Sequence, residues 1–138
     1  IQAAAAGHSG GGDTASGWVG CAVAFSDQPG LDEIGLRYAT IEETATGRDK
    51  YLGGDKTSAG QGFTRHYAAL LEPLRPLVGV TLLEIGVWYG ASLAMWSDYL
   101  GPTARIIGID CSLARFRRHL PELRRKGAFR AAEPQTHE

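Results

Sequence analysis

The feature that most constrains this chain is a short apolar run that stops on a glycine and resumes as a helix. Val80-Thr81-Leu82-Leu83-Glu84-Ile85 is bounded by Gly79 and Gly86 and fits a strand buried on both faces. Gly86-Val87-Trp88-Tyr89-Gly90 reads as a turn. Ser92 is placed to cap a helix from Leu93 to Leu100, with Leu93, Trp96 and Leu100 on one face and Gly101-Pro102 as the stop. Arg105-Ile106-Ile107-Gly108-Ile109-Asp110 reads as a second buried strand. A helix capped by Ser112 follows it, with Leu113, Phe116, Leu120 and Leu123 inward and Pro121 as a break. Strand, helix, strand and helix in succession imply an α/β fold with a parallel sheet.

The rest of the chain is less regular. Glycine supplies 19 of 138 residues, about twice the usual ~7%, and 13 of the 19 fall in residues 1–62. The first part is therefore loop-rich and the core is expected mostly in the second. Residues 1–30 read as a disordered or low-complexity tail that buries too little to offset its ordering entropy; Trp18–Val23 is its one short strand candidate. Residues 31–78 read as a helical lead-in. Leu31, Ile34 and Tyr38 form one stripe, with Asp32 and Glu33 suited to the helix start. Tyr67, Leu70, Leu71 and Leu74 form another behind Thr64 as N-cap, ended or kinked by Pro73 and Pro76. Residues 79–130 form the partial cofactor-binding unit, and 131–138 a polar tail.

A strand that ends in a glycine turn and feeds a helix presents backbone N–H groups to an anionic or carboxylate-bearing ligand, and absent side chains allow close approach. Asp110 ends the next strand 20 positions after Gly90, where nucleotide-binding βαβ units place a carboxylate for ribose hydroxyls. The alternative is that Gly86 and Gly90 are ordinary turn glycines and Asp110 merely solvates a strand end. The dinucleotide pattern GxGxxG fails, since its third position is Trp88 and its sixth Ala91. Glu84, two residues before Gly86, would repel a pyrophosphate and suits a cationic ammonium. S-adenosylmethionine carries an ammonium and a ribose but no phosphate, so the charges favour a methyl donor over NAD.

Leu82-Leu83-Glu84-Ile85-Gly86-Val87-x-x-Gly90-Ala91-Ser92-Leu93-x-Met95-Trp96-x-x-Tyr99, followed by Ile106-x-Gly108-Ile109-Asp110, resembles the first motifs of class I S-adenosylmethionine-dependent methyltransferases, which have a Rossmann-like fold. Within that class it is most similar to macrolide-sugar O-methyltransferases of the mycinamicin and demethylmacrocin type and to cephalosporin hydroxylase-like proteins. Gly54-Asp55-Lys56, Thr64-x-His66-Tyr67 and Leu74-Arg75 resemble their lead-in. The resemblance covers Tyr51 to Asp110, extending toward Phe129. It implies that Glu84, Gly86, Gly90 and Ser92 line the methionine end of the cofactor and Asp110 its ribose, with Gly54 and Trp88 also among the cofactor-binding residues. It also implies a small-molecule acceptor, a hydroxyl of a glycosylated natural product. Gly54 stands where the family often has a hydroxyl residue, and the turn lacks the longer insertion of some members. The metal-binding carboxylates and the usual base of such enzymes come from later strands, so magnesium belongs to a full-length relative. The chain is expected to be a truncated or frame-altered N-terminal part with weak or no turnover.

His66 is the candidate general base, against the alternative of a helix-surface or core histidine. Lys56 with Asp55 is either a ligand clamp or a loop-ordering ion pair. No His, Cys, Asp and Glu cluster has metal-ligand spacing, so no metal site is expected. Residues 105–130 hold eight Arg or Lys and two acids, yet Arg117, Arg118, Arg124, Arg125 and Lys126 fall between apolar helix positions and read as a solvated face rather than a nucleic-acid patch. A net charge of −1 gives no reason for a nucleic-acid or membrane partner. With no apolar run of about 18 residues and two distant cysteines, Cys21 and Cys111, the expected setting is cytoplasmic; a homo-oligomer is compatible. The rival readings are a non-catalytic interaction fragment without cofactor and a dinucleotide-binding module.

Overall fold

The computed structural model describes residues 2–4, 28–43 and 49–138; Trp18–Val23, His8 and Cys21 lie outside them. Strand β1 (Gln2–Ala4) is followed by helix α1 (Leu31–Tyr38), strands β2 (Ile41–Glu43) and β3 (Asp49–Tyr51), helix α2 (Thr64–Leu71) and a single 3-10 turn at Glu72–Leu74. Then come β4 (Thr81–Ile85), α3 (Ala91–Leu100), β5 (Arg105–Ile109), α4 (Ala114–Arg125) and β6 (Gln135–His137). The main sheet has the order β1-β4-β5-β6, and β2 and β3 form a separate antiparallel pair.

The fold is α/β with a small parallel sheet of β4, β5 and β6. Leu82 pairs with Ile106 and Ile85 with Ile109, while Gly108 pairs with Thr136. Two expectations are corrected at the chain ends. Gln2–Ala4, inside the segment read as a tail, runs antiparallel to β4. The supposed polar tail 131–138 contributes β6. It is held because Asp110 N donates to His137 O at 3.1 Å, Glu138 accepts from Leu113 N at 2.8 Å, and Arg117 pairs with Glu138 at 3.1 Å.

The strands are not buried on both faces. Leu82, Glu84, Ile106 and Gly108 are buried, whereas Ile85 is 79% exposed and Ile109 38%. Period-two alternation therefore holds, with α3 on the covered face. A Cβ on Gly108 would lie 2.7 Å from Val87 Cγ2 and 3.0 Å from Leu93 Cδ1, so this glycine lets the turn and α3 settle onto β5. The core gathers Trp96, Leu93, Met95 and Leu100 of α3, Leu31, Ile34 and Tyr38 of α1, and Phe116 and Leu123 of α4.

The helix boundaries differ from expectation by one or two positions. Gly90, at φ 82°, is the N-cap of α3 instead of Ser92, and α4 begins after Leu113. Thr64 lies inside α2 and donates its hydroxyl to Asp32. Pro121 is accommodated within α4. Leu70 is 72% exposed, since α2 buries Leu71 instead. Lys126 is not on a solvated face: its ammonium donates to Ala39 O at 2.7 Å and Thr40 Oγ1 at 3.0 Å, tying α4 to the end of α1. Among the described residues no helix is long and apolar enough to cross a membrane.

Candidate functional site

The turn after β4 rises at the carboxyl end of the parallel strands, where open α/β sheets bind ligands. Gly86 N donates to Ile109 O at 2.8 Å, so the ladder continues one residue past Ile85 before the chain leaves the sheet. Gly86 takes φ 89°, a left-handed backbone, and a Cβ there would meet nothing within 4 Å; its bare side faces open space. Gly90 differs. A Cβ on it would sit 2.4 Å from Phe116 Cδ2, so this glycine is required by the packing of α3 against α4.

A cleft of about 170 Å³ is lined by Gly53, Gly54, Asp55 and Lys56 on one side and by Gly86 through Ser92 on the other. The structure thus brings Gly54, Gly86, Trp88, Gly90 and Ser92 together across a sequence gap of more than thirty residues. Gly54, at φ 87°, has no room for a side chain: a Cβ would lie 2.4 Å from that of Ala39. The hydroxyl residue common at this position in the resembled family is sterically excluded.

Glu84 does not line the cleft wall as expected. Its side chain is 3% exposed and pairs with the Lys56 ammonium at 3.4 Å, and Trp96 Nε1 donates to its Oε2 at 3.2 Å. Burial pushes its pKa above the usual range, and Lys56, the Ser92 hydroxyl and Trp96 offset this only in part. The cation that sequence reasoning assigned to a ligand is supplied by the protein. Lys56 is 23% exposed and lines the cleft, so it, and not Glu84, presents charge to an occupant. Its partner is Glu84 and not the neighbouring Asp55.

Asp110 is at the tip of β5 as expected, but it already holds the turn. Its Oδ2 accepts from Val87 N at 2.7 Å and Trp88 N at 2.9 Å; Oδ1 accepts from Ser112 N at 3.1 Å and Cys111 Sγ at 3.4 Å. The amides of Trp88 and Ser112, then those of Val87 and the Cys111 thiol, lower its pKa to about 2. A second cleft, about 460 Å³, is lined by Trp88, Asp110, Cys111, Ser112, Ala114, Arg115 and Arg118. Trp88, at φ 51°, is common to both clefts and divides them.

His66 is not brought to the turn. It is exposed on α2, accepts from Arg65 Nε at 3.1 Å and lines neither cleft; its neighbour Tyr67 turns inward, edge-on to Trp96 at 5.6 Å. Among the described residues, no three His, Cys, Asp or Glu side chains converge as a metal site would require.

Asp32 is a residue that sequence reasoning undervalued. Read as a favourable charge at a helix start, it accepts from Ser58 N at 2.7 Å, Ser58 Oγ at 2.6 Å and Thr64 Oγ1. It thereby ties the middle of the loop that carries Lys56 to the start of α2. Its signal was the alternation of Asp32 with a hydroxyl-rich loop, Thr57-Ser58, and Thr64, which propensity alone does not connect. Compared with family models, curated proteins and solved structures, the chain matches none.

Proposed function

We propose that this chain is the S-adenosylmethionine-binding part of an O-methyltransferase acting on a hydroxyl of a small, glycosylated molecule. The observation that carries this reading is the cleft between Gly53–Lys56 and Gly86–Ser92, with the Lys56 ammonium at its wall and its partner Glu84 buried behind it. Each feature has a counterpart in the cofactor. The bare Gly86 side admits close backbone approach. Lys56 offers a cation to the amino-acid carboxylate, and the α3 N-terminus adds its dipole. Asp110 stands beside the second cleft, past Trp88, on the side for an adenosyl ribose. At about 170 Å³ the first cleft is smaller than the ~300–1,000 Å³ of a site that encloses a whole ligand, so it takes one end only. The ligand then extends past Trp88.

When bound, the cofactor supplies an electrophilic methyl group for the acceptor oxygen. The residues here contribute position: they hold the donor so that the acceptor meets it in line, a contribution of roughly 7–11 kcal/mol in well-oriented systems. His66 is remote from the turn and no histidine lines either cleft; the acceptor class rests on the family resemblance. Isothermal titration of the folded 138-residue chain with S-adenosylhomocysteine tests the reading. Saturable heat, with NAD weaker, supports it; no heat overturns it. A dinucleotide is the second reading, favoured by one finding: Lys56 balances Glu84, which removes the repulsion a pyrophosphate would have met. Tighter binding of NAD than of the adenosyl compound would select it.

A further inference from the structure

Helix α4 carries five arginines, and they divide into two groups. Arg117 pairs with Glu138, Arg124 with Glu133 and Arg125 with Glu122. Arg115 and Arg118 have no carboxylate or hydrogen-bond partner among the described residues. Both are exposed, and both line the cleft beside Asp110, one helical turn apart. A solvated helix face gives no reason for the unpaired arginines to be the two at the cleft. The one acid in that cleft, Asp110, is already satisfied by two backbone N–H groups at Oδ2 and by Ser112 N and Cys111 Sγ at Oδ1. Two guanidiniums against one engaged carboxylate leave the cleft cationic, and planar guanidinium forks suit phosphate oxygens.

We infer that Arg115 and Arg118 form a binding wall for a phosphomonoester in the cleft beside Asp110. This goes beyond the methyl-donor reading, since S-adenosylmethionine has no phosphate, and it concerns the cleft past Trp88 and not the Lys56 end. Two sources share the chemistry: the phosphate of a nucleotide, and free inorganic phosphate.

The experiment is titration of the chain with adenosine 2′-monophosphate, with adenosine, and with inorganic phosphate, for wild type and the R115Q/R118Q double variant. Because neither arginine has a partner to lose, the variant keeps the wild-type melting curve, which circular dichroism checks. Wild type is expected to bind the nucleotide roughly tenfold more tightly than adenosine, from two charge-assisted contacts, and the variant is expected to erase that difference. Inorganic phosphate that competes with the nucleotide in wild type identifies the anion itself as the ligand. If it does not compete while the variant still loses the nucleotide, the nucleotide is the source. A variant that binds the nucleotide as wild type does, or a wild type that does not prefer it to adenosine, overturns the inference. The two readings are told apart by their readouts: the arginine wall is judged by the preference for the nucleotide over adenosine and its loss in R115Q/R118Q, and the methyl-donor reading by the heat of S-adenosylhomocysteine binding to wild type.

Discussion

Glu84 and Lys56 behave as a unit, because a carboxylate 3% exposed keeps its charge only beside a cation. Removing the cation alone is therefore worse than removing both. K56M is expected to destabilise the fold by about 3 kcal/mol, the lower end for a broken buried pair, since Lys56 retains some solvent. K56M/E84Q is expected to recover most of that loss; chemical denaturation of the three variants measures it. Burial raises the folded pKa of Glu84 above its unfolded value of 4.5, so this residue's contribution is fully present below pH 4.5 and is lost as pH rises through the folded value. The K56M defect should accordingly shrink in acid. Asp110 has the opposite sign. Its folded pKa of about 2 lies below the unfolded 3.8, so its contribution is present above 3.8 and lost as pH falls toward 2. D110N is expected to melt at a lower temperature at pH 7 and to lose less stability between pH 4 and pH 2 than wild type, as followed by thermal melts. The glycines and Asp110 were legible as a turn and a strand tip. The Lys56–Glu84 pair was not, because 28 positions separate the two and local spacing carries no information about which loop returns over the strand.

Elements were more legible than their environments. The apolar runs located β4 and β5, and the helical stripes located α1, α3 and α4, because periodicity reports which residues must be hidden. What covers a strand is a property of the whole sheet. A short apolar run predicts burial on both faces, yet Leu82 is buried while Ile85 is 79% exposed. The same difference yields a paired prediction. L82A should cost about 2–5 kcal/mol, the range for a truncated core leucine, whereas I85T should fall within about 0.5 kcal/mol of wild type; urea denaturation distinguishes them. Strand β6 was missed for a related reason. Gln135-Thr136-His137 has no apolar period, and its place is set by backbone pairing with β5 and by the anchorage of Glu138 to Leu113 and Arg117. Cap positions shifted because Gly90 at φ 82° is itself the N-cap of α3, and the Ser92 hydroxyl goes to Glu84 instead.

At the scale of the molecule, a parallel sheet with helices on its covered face places one glycine turn, one lysine loop and one strand-tip acid at a common edge. The sheet's other face, with Leu83, Ile85, Ile107 and Ile109, is partly open among the described residues. Loop 53–64 reaches the turn because Asp32 of α1 grips Ser58 and Thr64; α1 in turn packs on α3 through Leu31, Ile34 and Met95. Candidate ligand contacts thus depend on the lead-in and the sheet together, which a reading of the strand-turn motif alone undervalued. The central claim is that Gly53–Lys56 and Gly86–Ser92 form one ligand cleft. Backbone amide NMR of the folded chain, titrated with S-adenosylhomocysteine, tests it directly. Saturable shifts are expected at Gly54, Lys56, Gly86 and Ser92, reaching Trp88 and Asp110. A well-dispersed spectrum that does not change, or one whose changes are confined to Ile85, Ile109 and the open sheet face, would contradict it.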